Sequence, residues 1–289
     1  MIVVVFASIL MIIRKFWAST QKRISKKNNP QTFYTMELKN STILITGGAS
    51  GIGFEFVKQL LQKGANVIIT GRDLAKLKEA KKQFPQIHPF QSDVDNTKDI
   101  EQLYKDVTQQ FPDLSIIINN AGIMRNLDLQ DTSMDLENIT REVDTNLSGT
   151  IRMVHQFLPH LKTKKSAAIV NVSSGLAFIP LAVSPIYAAT KAGVHSYTQA
   201  LRFQLKNTNV KVFEIAPPKT DKPLLSNTGG GDNGMKMMKV DKMVSVSISG
   251  IENDTLEIRP GLANVIKLMS RIAPNFFANY VDKMNRKTK

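Results

Sequence analysis

Cysteine is absent from the 289 residues. That removes a disulfide framework, a thiolate nucleophile and a thiolate-held metal together, and leaves oxygen and nitrogen groups to carry any chemistry. Aromatic residues are few, at 7% with a single tryptophan. They do not interleave with the basic residues, and no zinc-finger spacing occurs, so nothing beyond net charge points to nucleic acid. The four histidines, His88, His155, His160 and His195, form no metal-ligand grouping with carboxylates along the sequence, and no metal site is expected. No apolar run reaches the ~20 residues of a spanning helix.

What is present is ordinary globular composition, 42% hydrophobic and 21% charged, in a chain long enough for one large core. The formal net charge of +14 is concentrated at the ends. Residues 1–35 hold six Lys or Arg and no acid, and Asp282 to Lys289 holds four more against one acid. Solvated basic ends account for this better than a binding face.

The leading stretch Met1 to Ile13 is apolar except for Ser8, with Arg14 and Lys15 directly after it. It is short for a span, and its charges lie on the wrong side for a signal peptide. Extended through Phe16, Trp17 and Ala18, residues 1–18 read as a short membrane anchor with basic residues on the cytoplasmic side. Equally, translation starts at Met36, since Met36-Glu37-Leu38-Lys39-Asn40 leads directly into the domain; a cleaved signal is the third reading.

From Ser41 onward short apolar runs alternate with helical periodicity, the pattern of a parallel sheet wrapped by helices. Strands are expected at Thr42 to Ile45, Asn66 to Thr70, Ile116 to Ile118, Ala168 to Val172 and Val210 to Ile215, and a helix at Ile52 to Gln62. The expected fold is a single doubly wound α/β domain over residues 36–289, a Rossmann fold. Residues 217–240 read as a substrate loop, flanked by Met235, Met237, Met238 and Met243, which would line an adaptable apolar pocket or simply pack.

Between the first strand and helix lies Thr46-Gly47-Gly48-Ala49-Ser50-Gly51-Ile52-Gly53. Glycines there let the backbone turn tightly and approach a pyrophosphate, whose charge meets the amides and dipole of the helix start. Standing alone, such a turn also occurs as a plain loop. The second strand ends Thr70-Gly71-Arg72 with no acid until Asp73. An acid at that place binds the free ribose hydroxyls of NAD, whereas a forked cation suits a 2′-phosphate, so NADP(H) is favoured, with NAD(H) still open and Asp73 a candidate helix cap.

The spacing Thr-Gly-x-x-x-Gly-x-Gly resembles the short-chain dehydrogenase/reductase family, and further family motifs follow in order: Asn119-Asn120-Ala121-Gly122, Asn146 in Asp144-Thr145-Asn146-Leu147, Ser174 ending Asn171-Val172-Ser173-Ser174, and Tyr187-Ala188-Ala189-Thr190-Lys191. The resemblance covers about residues 38 to 222. It implies that Asn146, Ser174, Tyr187 and Lys191 are catalytic. It also implies that Gly47, Ser50, Gly51, Ile52, Gly53, Arg72, Asp93, Val94, Asn120, Ala121, Gly122, Tyr187, Lys191, Pro217 and Thr220 line the cofactor. Positions four apart share a helix face, so Tyr187 and Lys191 meet at one site, where an ammonium would lower the tyrosine from its usual ~10. Lys191 would hold the nicotinamide ribose and Asn146 a water of the proton relay. One departure stands out. After the last long strand the chain reads Pro217-Pro218-Lys219-Thr220-Asp221-Lys222, with lysine in the family's threonine place and Thr220 as its substitute.

The function so implied is hydride transfer between NADP(H) and an alcohol or carbonyl, on a small or moderately apolar substrate. An epimerase or dehydratase of the related extended group, or a nucleotide sensor without turnover, are the alternatives. Homodimers or homotetramers and a cytoplasmic location are expected, with membrane association if residues 1–18 anchor the chain. Every motif lies after Met36, so a chain starting at Met36 should fold, bind cofactor and turn over like the full one. Circular dichroism and cofactor titration of both chains check this, and loss of folding in the shorter chain would contradict it.

Overall fold

Every one of the five residues in Thr42–Thr46 is buried, as expected of a strand covered on both faces. A computed structural model describes residues 36–221 and 237–286. The strands are β1 (Thr42–Thr46), β2 (Asn66–Gly71), β3 (His88–Gln91), β4 (Leu114–Asn119), β5 (Ala167–Val172), β6 (Val210–Ile215) and β7 (Glu257–Ile258). They form one parallel sheet in the order β3-β2-β1-β4-β5-β6-β7. The helices are α1 (Gly51–Gln62), α2 (Leu74–Gln83), α3 (Thr97–Gln110), α4 (Leu136–Glu142), α5 (Gly149–Lys162), α6 (Pro185–Gln204), α7 (Val240–Glu252), α8 (Ala263–Ile272) and α9 (Pro274–Arg286), with a π-helical turn, Val143–Ser148, between α4 and α5. This is the expected Rossmann architecture.

Alternate strand residues feed opposite faces. Ile43 and Ile45 join Phe56, Val57 and Leu60 of α1 and Val244 and Ile248 of α7, while Leu44 and Ile117 join Leu103 and Val107 of α3 and Phe157 of α5. Each such fully buried side chain contributes roughly 1.5–3 kcal/mol, so the apolar strands direct the fold. Met36 and Leu38 belong to the first of these clusters. The expected strands are all present. β3 and β7 carry no signal in the sequence, because His88-Pro89-Phe90-Gln91 has no apolar run and β7 spans two residues.

Sheet order reverses between β1 and β4, the crevice where ligands sit in open α/β sheets. The C-terminal ends of β1, β4, β5 and β6 all open toward it. Beside the end of β5 lies a separate apolar cluster of Ile179, Leu181, Ala188 and Val281, packed with Met124, Val183 and Phe277. The expected loop after Pro217 is described at its two ends, which pair. Thr220 bridges Met238, Met238 N–H donates to the Lys219 carbonyl at 3.0 Å, and the Asp221 carboxylate accepts from Val240 N–H at 2.9 Å. Met243 is wholly buried in the sheet core, so it packs and lines no pocket; Met235 and the leading segment lie outside the described residues. No helix among the described residues is long and apolar enough to cross a membrane.

Candidate active site

Two glycines of the first turn occupy the left-handed region, Gly47 at φ +65 and Gly51 at φ +55, where a side chain would be strained. Gly53 is required for a different reason. A Cβ there would lie 2.3 Å from the Gly47 carbonyl oxygen, so its absence lets α1 close onto the turn. Ser50 precedes α1 in extended backbone without a side-chain capping bond, and the first turn of α1 carries no acid. Nothing among the described side chains competes there for an anion at the helix start, as a pyrophosphate cradle requires.

This turn is stitched to the end of β4. The Thr46 hydroxyl accepts from Asn120 N–H at 3.0 Å and Ala121 N–H at 2.9 Å, and the Asn120 side-chain amide donates to the carbonyls of Thr46 and Gly47. Asn120 therefore shapes the turn with its side chain. On the outer side of the crevice the Thr70 and Ser92 hydroxyls and one Asp95 carboxylate oxygen are buried without a partner among the described residues, polar capacity that an adenosine would satisfy. Val94 is buried and Asp93 half-buried beside them. Arg72 is exposed, and Asp73 caps α2 by accepting from Lys76 N–H at 3.1 Å, the alternative considered for it. The residues present thus fit a dinucleotide.

On the inner side four expected residues converge. Ser174 follows β5, and its hydroxyl accepts from Leu176 N–H at 3.1 Å. Tyr187 and Lys191 lie one turn apart on α6, the Lys191 Nζ 5.7 Å from the tyrosine ring centroid. Lys191 is almost fully buried and donates to the Val172 carbonyl at 2.9 Å. Asn146 sits fully buried in the π-helical turn. Its side chain accepts from Ile123 N–H at 2.8 Å and donates to the Ile123 carbonyl at 2.9 Å and to Thr190 Oγ1 at 3.1 Å. Both amide hydrogens are engaged, while Oδ1 accepts one bond and has a second lone pair to which a water could donate. Pro217 is buried, its carbonyl accepting from Gly175 N–H at 2.8 Å, and Thr220 is buried nearby along the chain.

One electrostatic expectation is corrected. Burial pushes the Tyr187 phenol up to about 12, with the Ser174 hydroxyl opposing and the Glu142 charge adding to the rise. Burial likewise brings Lys191 down to about 8. Desolvation, which disfavours both charged forms, outweighs the neighbouring lysine here, whose ammonium is directed to a main-chain carbonyl.

The fold brings His195, one turn beyond Lys191, to Glu214 and Glu257. His195 Nδ1 lies 2.8 Å from Glu214 Oε2, the Ser173 hydroxyl donates to Glu214 Oε1 at 2.6 Å, and Glu257 is paired with Lys267 and Arg259. Sequence spacing could not reveal this group, since it draws on α6, β6 and β7. Both carboxylates are already engaged, Glu214 by Ser173 and His195 and Glu257 by Lys267 and Arg259.

A family model described as short chain dehydrogenase matches residues 41–233. An uncharacterized oxidoreductase, DltE, of Bacillus subtilis (strain 168) is 46% identical over 186 residues, 64% of this chain and 74% of its own. An uncharacterized oxidoreductase of Staphylococcus aureus (strain MW2) is 34% identical over 186 residues, 64% of this chain and 80% of its own. Among solved structures, a short chain dehydrogenase from Burkholderia cenocepacia J2315 in complex with NADP has a TM-score of 0.73 at 24% identity, covering 85% of this chain and 99% of that one. A short chain dehydrogenase/reductase from Burkholderia phymatum in complex with NAD has a TM-score of 0.72 at 18% identity, covering 83% and 96%.

The buried lysine yields a measurable expectation. In cofactor-free protein the Lys191 side-chain carbon signal, assigned by its loss in Lys191→Met, should titrate near 8, carrying its proton below that pH and losing it above. An inflection at the ordinary lysine value of ~10.4 would show that water reaches the amine.

Proposed function

The chain belongs to the short-chain dehydrogenase/reductase family of nicotinamide-dependent oxidoreductases, and we propose that it reduces carbonyls to alcohols with NADPH, using Tyr187 as proton donor and Lys191, Ser174 and Asn146 as its assistants. The observation that carries this reading is the meeting of Ser174, from the end of β5, with Tyr187 and Lys191 of α6, beside a glycine turn built for a pyrophosphate.

When bound, the nicotinamide supplies or accepts the hydride. As negative charge grows on the carbonyl oxygen, Ser174 donates a hydrogen bond to it and Tyr187 delivers its proton. An alkoxide is a stronger base than a phenolate, so even a tyrosine held at about 12 gives up its proton at that moment. Lys191, with one bond to Val172 and further N–H donors to direct, holds the ribose and stabilises the phenolate left behind. Asn146 is a positioning residue that ties the π-helical turn to Ile123 and to α6 through Thr190. In the alcohol-oxidising direction the same groups run in reverse.

The pyrophosphate falls to Gly47, Ser50, Gly51, Ile52 and Gly53, the adenine to Asp93 and Val94, and the nicotinamide side to Asn120, Ala121, Gly122, Pro217 and Thr220. Exposed Arg72, with Asp73 engaged as a helix cap, supports a 2′-phosphate. The apolar cluster at Ile179, Leu181, Met124 and Phe277 supports a moderately apolar substrate.

A panel of aldehydes, ketones and alcohols followed at the nicotinamide absorbance with both cofactors tests the activity. Tyr187→Phe should bind cofactor as before and lose about a hundredfold or more in turnover; undiminished turnover would remove Tyr187 from the chemistry. Arg72→Asp should weaken NADPH and favour NADH, because a carboxylate repels the 2′-phosphate and accepts from ribose hydroxyls. A parent protein that already prefers NADH would defeat the cofactor reading.

A further inference from the structure

The Ser174 hydroxyl accepts from Leu176 N–H and keeps its own hydrogen to donate. Its place is set by its two neighbours. On one side Ser173 N–H donates to the Ile215 carbonyl at 2.8 Å, and the Ser173 hydroxyl donates to Glu214 Oε1 at 2.6 Å. The Ile215 carbonyl is a second acceptor for that hydroxyl at 3.2 Å, but it has one hydrogen, and the shorter contact to the carboxylate takes it. On the other side Gly175 N–H donates to the Pro217 carbonyl at 2.8 Å. Both attachments run to β6 or the chain directly after it. Ser174, in extended backbone at φ −166 and ψ 159, is thus stretched between two points of one neighbouring segment.

Glu214 is wholly buried on β6. A carboxylate there is unfavourable unless donors surround it, and two reach it from two other elements. Ser173 supplies one from the end of β5. His195 supplies the second from α6, its Nδ1 2.9 Å from Oε1 and 2.8 Å from Oε2. The imidazole is fixed in turn, with Gln199 Nε2 2.9 Å from His195 Nε2 and the Phe178 ring in a T-shaped contact at 5.0 Å between centroids. An amide nitrogen donates, so Nε2 accepts and Nδ1 carries the hydrogen toward Glu214. Tyr187, Lys191 and His195 follow one another at intervals of four and share one face of α6. Glu214 therefore bridges the loop that carries Ser174 to the helix that carries Tyr187. Neither it nor His195 stands in any of the family motifs read from the sequence.

We propose that Glu214, held by His195, is a positioning residue that acts through Ser173 to fix Ser174 at its working distance from Tyr187. This rests on the reading that Ser174 and Tyr187 serve one carbonyl oxygen. Two donors from different elements reach the same oxygen only if their separation is held to within about 0.5 Å. The bond from Lys191 to the Val172 carbonyl ties β5 to α6 at the last residue of the strand. Glu214 extends that tie past the strand end, to the residue next to Ser174. Without the carboxylate, the loop is free to drift from α6. Turnover then suffers more than the binding of substrate or cofactor, because the hydrogen bond from Ser174 strengthens as charge grows on the oxygen.

A double-mutant cycle in the full chain at neutral pH tests it, with kcat, KM and NADPH affinity measured for reduction of one carbonyl substrate. Glu214→Leu keeps the volume and removes both acceptor oxygens. It should lower kcat about tenfold, as a small misplacement of a reacting group does, with KM and NADPH affinity within about twofold of the parent. In a Ser174→Ala background the same change should cost no more than about twofold, since the group it positions is gone. Lowered stability alone would reduce kcat by the same factor in both backgrounds. Equal losses therefore overturn the proposal, as does an undiminished kcat in Glu214→Leu. If Glu214→Leu does not fold, Ser173→Ala removes the single donor between the bridge and Ser174 and enters the same cycle, with the same outcomes supporting or overturning the proposal. Full turnover in Ser174→Ala would defeat the reading of Ser174 itself and the bridge with it. A loss there together with equal losses in the cycle defeats the bridge alone, so the two failures are distinct.

Discussion

Lys191 is a lysine with almost no access to water and a single hydrogen-bond partner among the described residues, the carbonyl of Val172. Removing an ammonium from water is strongly unfavourable unless something compensates. The bond to Val172 fixes α6 against the last residue of β5, and that contact sets the distance between Ser174 on one element and Tyr187 on the other. The remaining N–H donors of Lys191 and its displaced proton affinity are what a negatively polarised ligand in the crevice would relieve.

The neighbouring polar side chains keep that shape. Asn119 donates to Asn171 at 2.9 Å, Asn171 donates to Thr198 at 2.9 Å, and Glu214 joins Ser173 to His195. These bonds cross β4, β5, β6 and α6 just beneath the crevice, in a core that is otherwise apolar. Buried polar networks of this kind favour one register of the elements over its neighbours, because a slipped strand would leave each group unpaired. On the substrate side Asn146 and Glu142 do the same for the turn after Gly122.

The charge of Glu142 disfavours the Tyr187 phenolate, while the ammonium of Lys191, 5.7 Å from the ring centroid, is available to stabilise it. Burial amplifies both. The proposed chemistry takes place between these opposed influences, and the balance shifts toward phenolate only as the proton is handed to substrate.

Much of this was legible without coordinates. Apolar runs bounded by turn residues gave the parallel strands because a strand covered on both faces must be hydrophobic along its whole length. The glycine pattern gave the first turn because only glycine tolerates the conformations of Gly47 and Gly51 and the close approach at Gly53. Tyr187 and Lys191 were paired by helical spacing, a local rule. Tertiary structure alone decided the rest. β3 and β7 are strands because a neighbouring edge offers hydrogen bonds, which their own residues do not announce. His195 meets Glu214 and Glu257, and Glu142 meets Arg125, only after distant segments pack. Above all, the proton affinities of Tyr187 and Lys191 follow desolvation. Sequence specifies which charges are near one another along a helix, but the water each one loses is set by everything folded around it.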